Sequence, residues 1–539
     1  MAIAAQPAGE VATDMSVDQR PMLIAQLYVA YNERNGDWFY RIHSPGRALG
    51  TIDGVWAVDA PHIHRTRRAL IDQADVLIIN MVPDVDLRPL IARRRSRGQV
   101  TVFELNDDVA DLHPLNPYSR FYSDPYEVTK LRQLLHACDA VQFSTPELKR
   151  LYGRFARRRA VFVNQMPPRT VERPARDGQA SDKIVVGWGG SAGHLPDLNA
   201  VAPALIRWLR TQNRVSLHIM GDPALYDVFA RLPAQRRVHV PIGDIHAYYR
   251  FVSSIDIGLA PLADTGFNRC RSDVKFLEYA QHGAVAVVQD LAPYRDTVRD
   301  GQTGMLVDSP DALVAALARL AREPDTRAAI AARARTYVDQ ERTEAVGAHA
   351  RVAFYRLLLA EARSAAGTDD GAAMAADRES SLWRTLQACD GVEGTGRHLS
   401  LGFGVYEGLI NRALLLGGQQ RPEEALPLLE RAVAMEPGAY QPHLFAALFS
   451  KREGRRLSLE RALQREPQSL SCWIDLGDEL EAAGDATGAL RAYTAAVKAD
   501  PTCDQAYAKA SLLLTKLGRP AEAGQFGAIA HQIQKPFVA

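Results

Sequence analysis

Twelve short apolar runs, separated by stretches of helical periodicity, constrain this chain more than any other feature. Six of them, rich in Val and Ile, fall at residues 22–30, 54–57, 75–81, 99–105, 139–144 and 160–164. Six more follow at 183–188, 215–220, 237–240, 256–260, 284–288 and 304–307. Such runs between helices predict parallel sheets covered on both faces, because a strand buried on both sides has no polar alternation to show. A Pro-, Arg- and Gly-rich segment at 167–182 divides the runs into two halves. The expected fold is α/β, with two Rossmann-like domains at 21–175 and 182–360 facing one cleft. Ligands in open sheets of this kind bind outside the carboxyl ends of the strands. Residues 1–20 read as a disordered N-terminus, and residues 310–360 as closing helices that start at Pro310-Asp311.

After residue 361 the composition turns to Ala, Gly, Ser and Asp, which reads as a linker over 361–399 with one short helix marked by Leu382-Trp383 and Leu386. Residues 400–539 are repetitive. Trp473, Leu476, Gly477, Leu480, Ala489, Tyr493, Ala496 and Pro501 resemble the tetratricopeptide pattern over one 34-residue period. The pairs Ala432 and Pro437, Ala462 and Pro467, and Ala496 and Pro501 repeat one ending, with proline spacings of 30 and then 34 residues. The middle repeat should therefore lack about one turn, placed near Gly454-Arg455-Arg456. A weaker fourth unit carries Tyr507, Leu514, Ala523 and Ala530. Small residues let paired helices approach, aromatics fill the gap, and proline ends each second helix. An all-α tetratricopeptide repeat domain is expected.

A hydrophobic content of 47%, a charged content of 24% and a net charge of +1 describe an ordinary soluble protein with no pull toward nucleic acid. The five cysteines (Cys138, Cys270, Cys389, Cys472, Cys503) are scattered, without a Cys-x-x-Cys pair, and no histidines cluster at metal-ligand spacing. That pattern suits a reducing compartment and argues against both a disulfide framework and a structural zinc. The first apolar run is about half the length of a bilayer span. A cytoplasmic protein is expected. Arg93-Arg94-Arg95-Ser96-Arg97 and Arg154 with Arg157-Arg158-Arg159 read as charges at helix C-termini, or as peripheral contacts to the inner membrane.

The chemistry concentrates in residues 271–280, Arg-Ser-Asp-Val-Lys-Phe-Leu-Glu-Tyr-Ala, followed by His282-Gly283 and an apolar run. Lys275 and Glu278 share one face at the start of a helix, where backbone N–H groups and the dipole favour an anion. A lysine for a diphosphate and a glutamate for ribose hydroxyls would hold a nucleotide-sugar. Alone, such a pair is more often an ion pair on a solvated helix. The segment resembles the donor-site motif of family-4-like glycosyltransferases of the GT-B fold: Ser272, Lys275, Glu278, Tyr279 and Gly283 occupy its places. Residues 254–261, Pro293-Tyr294, Asp300-Gly301, Gly304 and Leu306-Val307 extend the similarity over about 182–360. The resemblance implies a last helix that crosses back onto the first domain, catalysis without a bound metal, and retention of anomeric configuration. It also implies a second glutamate eight residues before Glu278. Cys270 stands there, with Asp264, Asn268 or Asp273 as substitutes.

The run Gly187-Trp188-Gly189-Gly190-Ser191-Ala192-Gly193 follows a strand and precedes a helix, a phosphate-loop arrangement in which Gly189, Gly190 and Ser191 would approach the diphosphate. His194 and Asp197 flank it, Asp197 facing the cleft or capping the helix. Donor binding is thus assigned to Gly189, Gly190, Ser191, Asp273, Lys275 and Glu278. In the first half His43, within Tyr-Arg-Ile-His-Ser-Pro, is a candidate cleft residue. Asn106-Asp107-Asp108 follows a strand, so Asp107 and Asp108 would position an acceptor hydroxyl, act as base, or cap a helix. Thr145-Pro146-Glu147 reads as a helix start.

The expected protein is a nucleotide-sugar-dependent glycosyltransferase with no cofactor beyond its nucleotide-sugar co-substrate. The repeats suggest a protein acceptor. A polysaccharide or lipopolysaccharide transferase with repeats for assembly or a homodimer is the alternative, and a repeat scaffold with a decayed transferase domain is another.

Overall fold

The computed structural model describes residues 21–29, 36–112, 114, 119–174, 183–367, 382–389, 392–395 and 397–538, so the N-terminus expected to be disordered lies outside them. Each of the twelve apolar runs forms a strand. The first half gives β1 (Met22–Tyr28), β2 (Val55–Pro61), β3 (Val76–Asn80), β4 (Val100–Leu105), β5 (Ala140–Phe143) and β6 (Arg159–Val161). The second gives β7 (Ile184–Gly190), β8 (Val215–Gly221), β9 (Arg237–Val240), β10 (Ile257–Ala260), β11 (Val285–Gln289) and β12 (Met305–Val307). The second sheet is parallel throughout, in the order β12-β11-β10-β7-β8-β9. Its strand order reverses between β7 and β10, the crevice where such sheets take ligands. In the first sheet β2-β1-β3-β4-β5-β6 are parallel, and the reversal lies between β1 and β3.

Both faces of the first sheet are covered. Leu90, Ile91, Leu131 and Leu134, from the helices Leu87–Ser96 and Pro125–Ala137, pack on one face. The other is closed by the helix Glu344–Ala366, which crosses back from the second domain and buries Val352, Tyr355, Leu358 and Leu359 on Ile24, Ile78 and Val102. Tyr355 anchors it by donating to Gln142 Oε1 at 2.7 Å. The arginine cluster on Leu87–Ser96 is used internally. Arg93 pairs with Asp72 at 2.6 Å, Arg95 with Asp139 at 2.6 Å, and buried Arg94 donates to the carbonyls of Ala74 and Val100.

The stretch 361–399 is not a linker where it is described. The closing helix runs through it to Ala366, and Leu382 and Leu386 join the core of the first domain. Trp383 stacks on Trp56 at 4.7 Å. Two further strands, β13 (Val392–Thr395) and β14 (His398–Leu401), form an antiparallel hairpin, and β14 pairs in parallel with β2 at His398↔Ala57 to Ser400↔Asp59. The physical reason is the open edge of β2, whose unpaired backbone groups need a partner.

Residues beyond 404 form eight helices: Val405–Gly418, Pro422–Met435, Gln441–Phe449, Arg452–Arg465, Leu470–Ala482, Ala486–Ala499, Asp504–Lys516 and Pro520–Val538. Each packs on its chain neighbours. Gly477 permits one close approach, since a Cβ there would stand 2.3 Å from the Tyr493 ring. The shortened element is Gln441–Phe449, nine residues long. Gly454, where the shortening was expected, lies inside the next helix, because proline spacing reports the length of a pair and not which member is short. No helix among the described residues is long and apolar enough to cross a membrane.

These helices are fastened to the first domain. The acidic residues before Pro437, Pro467 and Pro501 each meet an arginine there: Glu436 with Arg65 at 3.8 Å, Glu466 with Arg68, and Asp500 with Arg88 at 2.9 Å. Between them Asp86 accepts from Ser469 Oγ and the Ser471 N–H, both at 2.8 Å. Arg132 donates to the Phe537 carbonyl at 2.7 Å, and the Phe537 ring joins the first domain's core. Removal of one partner from a buried pair strands the other charge, which costs about 3–5 kcal/mol. Arg88→Ala is therefore expected to destabilise the whole chain by about that amount in denaturant unfolding, and Arg88→Met with Asp500→Leu to recover most of it. A chain truncated after Ala365 should be poorly soluble, because it loses the cover on β2.

Candidate active site between the two sheets

A cavity of about 790 Å³ opens between the carboxyl ends of the two sheets. Val29, Met81, Asn106 and Ser144, which follow β1, β3, β4 and β5, line one side. Gly190, Gly221 and Ala260, which end β7, β8 and β10, line the other. Both strand-order reversals thus face the same space.

The helix Val274–Gln281 points its first turn at this cavity, and Lys275 and Glu278 line it from one face. Glu278 is 3% exposed, and both of its oxygens are held. Oε1 accepts from Tyr40 Oη of the first domain at 2.7 Å; Oε2 accepts from Tyr248 Oη at 2.6 Å and lies 3.4 Å from Lys275 Nζ. Lys275 also donates to Tyr248 Oη at 2.6 Å and sits over its ring at 4.5 Å. Burial and the Glu278 charge hold the Tyr40 and Tyr248 hydroxyls far above the usual tyrosine range, so both remain donors. Burial lowers the Lys275 ammonium, against the opposing pull of Glu278. Tyr279 turns the other way, packing on Gly258 and donating to the Leu259 carbonyl at 2.8 Å.

Of the glycine run, Gly190, Ser191, Ala192 and Gly193 line the cavity. Gly189 does not. It sits inside β7 opposite Met220, with the Tyr248 ring beside it, because strand alternation turns it to the face away from the ligand space. His194 lines the cavity and is pushed down to about 4 by burial and by Arg271, so it is neutral near pH 7. Its Nδ1 lies 2.8 Å from Asp197 Oδ2. Asp197 Oδ1 accepts from the Ala263 N–H at 2.8 Å and Asn268 Nδ2 at 2.9 Å, so this carboxylate braces the β7 and β10 exit loops and is neither a cap nor a cleft residue.

Four sequence-derived assignments move in the fold. Asp273 is turned away from the cavity into a two-pronged ion pair with Arg342, at 2.6 and 3.0 Å, and accepts from Thr297 Oγ1 at 2.9 Å. Asp108 is buried, accepting from Tyr152 Oη at 2.5 Å and the Ala110 N–H at 3.0 Å, as a loop brace. His43 stacks on Trp38 and faces Asp59 and His398 on the far side of its turn. Gly189 is the fourth. Cys270 is buried in the first domain's core cluster, where burial pushes its thiol up to about 12, and Asp264 is exposed and paired with Arg269 at 2.6 Å. Neither they nor Asn268 and Asp273 line the cavity.

Asp107 does line it, beside two residues that sequence reasoning passed over, Asp37 and Arg271. Burial and the Asp37 carboxylate raise Asp107 to about 7, with Arg271 opposing, and Asp37 is raised for the same first reason. Two acids and one guanidinium thus share the floor of the cleft. Arg41 lines it too, held by Glu104, the Phe162 carbonyl at 2.8 Å and Asn164 at 2.7 Å. The position of Arg271, directly before Ser272, was a usable signal, and so was that of Tyr40, which opens the Tyr-Arg-Ile-His-Ser-Pro run; Asp37 and Tyr248 had none, since they lie outside either motif.

A family model described as Glycosyl transferases group 1 matches residues 192–323. Comparison with the curated proteins gives no match. Among solved structures, sucrose-phosphate synthase from Thermosynechococcus elongatus is similar at 14% identity and a TM-score of 0.49, covering 63% of this chain and 100% of that one. Anabaena HepE in complex with UDP gives 11% and 0.46, with 62% and 100% covered. A glycosyltransferase from Rickettsia africae gives 12% and 0.45, with 63% and 99% covered.

The raised Asp107 carboxyl carries a stability consequence. Its ordinary value is 3.8 and its folded value about 7, so the unfolded chain releases this proton first and folding loses stability as pH rises between the two. Asp107→Asn removes that dependence. Its Tm should therefore gain on the wild-type value between about pH 5 and pH 8, and equal Tm differences at the two pH values would contradict the assignment.

Proposed function

We propose that the protein is a nucleotide-sugar-dependent glycosyltransferase of the GT-B type whose second domain binds the donor. The observation that carries this reading is the Lys275 and Glu278 pair, which lies inside the segment that matches a glycosyltransferase family and is aimed with the Gly190–Gly193 loop into one cavity. Glu278 Oε1 keeps a lone pair for a ribose hydroxyl after its bond from Tyr40, whereas Oε2 already accepts from both Tyr248 and Lys275. Lys275, Arg271 and the amides of the loop oppose the negative charge that grows on a leaving diphosphate. These cations supply the role for which a metal would otherwise be needed, so catalysis without a bound metal belongs to the proposal, as does retention of configuration.

The first domain presents the acceptor. Asp107, raised toward neutral pH beside Asp37, has the proton affinity that a group exchanging a proton with an acceptor hydroxyl requires. The helical region is read as tetratricopeptide repeats that recruit a protein acceptor. Its ion pairs with Arg65, Arg68 and Arg88 fall on the first domain, which keeps the helices beside the acceptor half of the cleft.

Glu278→Ala, Lys275→Ala and Arg271→Ala should each weaken binding of a nucleoside diphosphate by about 1–3 kcal/mol in calorimetric titration, the loss of a charge-assisted hydrogen bond. Wild-type binding without turnover of any nucleotide-sugar would favour a decayed transferase. Identification of the labelled product would separate a protein acceptor from a polysaccharide.

A further inference from the structure

Outside the cleft, three side chains from distant parts of the chain converge where β14 joins the first sheet. His43 ends the short π-helical turn Phe39–His43, Asp59 lies in β2 and His398 opens β14. One ligand-type atom from each lies within 4.8 Å of the other two. His398 Nε2 is 2.6 Å from Asp59 Oδ1, and His43 Nδ1 is 4.0 Å from Asp59 Oδ2. Asp59 is wholly buried and His398 is 5% exposed. Ser400 Oγ donates to Asp59 Oδ2 at 2.5 Å. The Trp38 ring stacks on His43 at 4.5 Å, and the backbone of Gly46 closes the cluster from above.

Two features of this cluster ask for a cation. A buried carboxylate is tolerated only when paired, and among the ion pairs of the described residues Asp59 has imidazoles and no Lys or Arg. His43 Nδ1 is buried and has no hydrogen-bond partner among the described residues, an arrangement that a metal bond resolves.

We infer that His43, Asp59 and His398 bind Zn²⁺, which fastens the 392–401 hairpin to the first domain. Two imidazole nitrogens and a carboxylate oxygen are a Zn²⁺ donor set, and bonds of about 2.0 Å in a tetrahedron set ligand atoms about 3.3 Å apart. The separations here straddle that value. The metal takes the place of the direct contact between His398 Nε2 and Asp59 Oδ1. Ser400 Oγ stands beside the set as a hydrogen-bonding support for Asp59, and His43, with 15% of its side chain exposed, gives the route of entry. None of the three residues lines the cleft cavity, so the role is structural.

The test uses the full chain, stripped with a chelator, dialysed against Zn²⁺ and freed of excess. Elemental analysis should find about one zinc per chain, with a higher Tm than the stripped protein and an unchanged affinity for nucleoside diphosphate. His43→Gln, altering the one partly exposed ligand, should fold and lose at least about tenfold in Zn²⁺ affinity. Should that variant fail to fold, Co²⁺ loaded into the wild-type chain decides, since a tetrahedral site gives strong visible absorption. No retained zinc, no Tm difference or a featureless Co²⁺ spectrum would overturn the inference and leave the trio as a hydrogen-bonded strut.

Discussion

A parallel sheet has two apolar faces and two open edges, and the larger features of this protein are ways of covering them. The first sheet shows this most fully, since β1, β3 and β4 are buried along almost their whole length. One face is covered by helices from its own βαβ units. The other needs a helix the first domain does not contain, and the chain supplies it from beyond the second domain as Glu344–Ala366. That return passage ties the two domains together at Met166, whose N–H donates to the Arg342 carbonyl at 2.7 Å and whose carbonyl accepts from the Glu344 N–H at 3.0 Å. Further along the chain, the hairpin of β13 and β14 covers the β2 edge. The C-terminal helical region begins a few residues later, against the same domain.

The character of the cleft follows from that arrangement. Each domain brings its strand-order reversal to a common space, and each side of it carries charges of both signs. The second domain offers Lys275, Arg271 and a helix N-terminus, and the first offers Asp37 and Asp107. Glu278 is an acid set among the cations, and it is neutralised locally by Lys275 and two tyrosine hydroxyls, one of them from across the cleft. That cross-domain hydrogen bond from Tyr40 couples the Glu278 carboxylate to the turn that carries Arg41 and His43. Neutral His194 adds no further positive charge near Arg271.

Much of this was legible in the chain before any coordinates. Twelve apolar runs gave twelve strands because a doubly buried strand must be apolar whatever surrounds it. Lys275, Glu278, Gly190 and Ser191 could be assigned to the cleft because their spacing fixes which face of a helix or turn they occupy. Asp107 and Asp108 could not be separated that way. They follow the same strand, and a loop turns one into the cavity and the other under Tyr152. Asp273 belongs to the same local motif as Lys275, yet Arg342, far along the chain, draws it aside. The hairpin at 392–401 was hidden for a related reason, since four-residue strands that complete another domain's edge carry too little pattern to be seen.

The sequence by itself determined the elements and the chemistry of the donor helix, because periodicity, turn residues and i,i+3 spacing act within a dozen residues of one another. It also determined a C-terminal helical region in which an acidic residue precedes each of Pro437, Pro467 and Pro501. Only the tertiary structure decided what those acids face, that 361–399 is partly sheet, and that His43 meets Asp59 and His398 instead of the cleft. Each of those outcomes depends on contacts between residues hundreds of positions apart, where burial of unpaired charge and of open sheet edge selects the partner, and no local pattern encodes that selection.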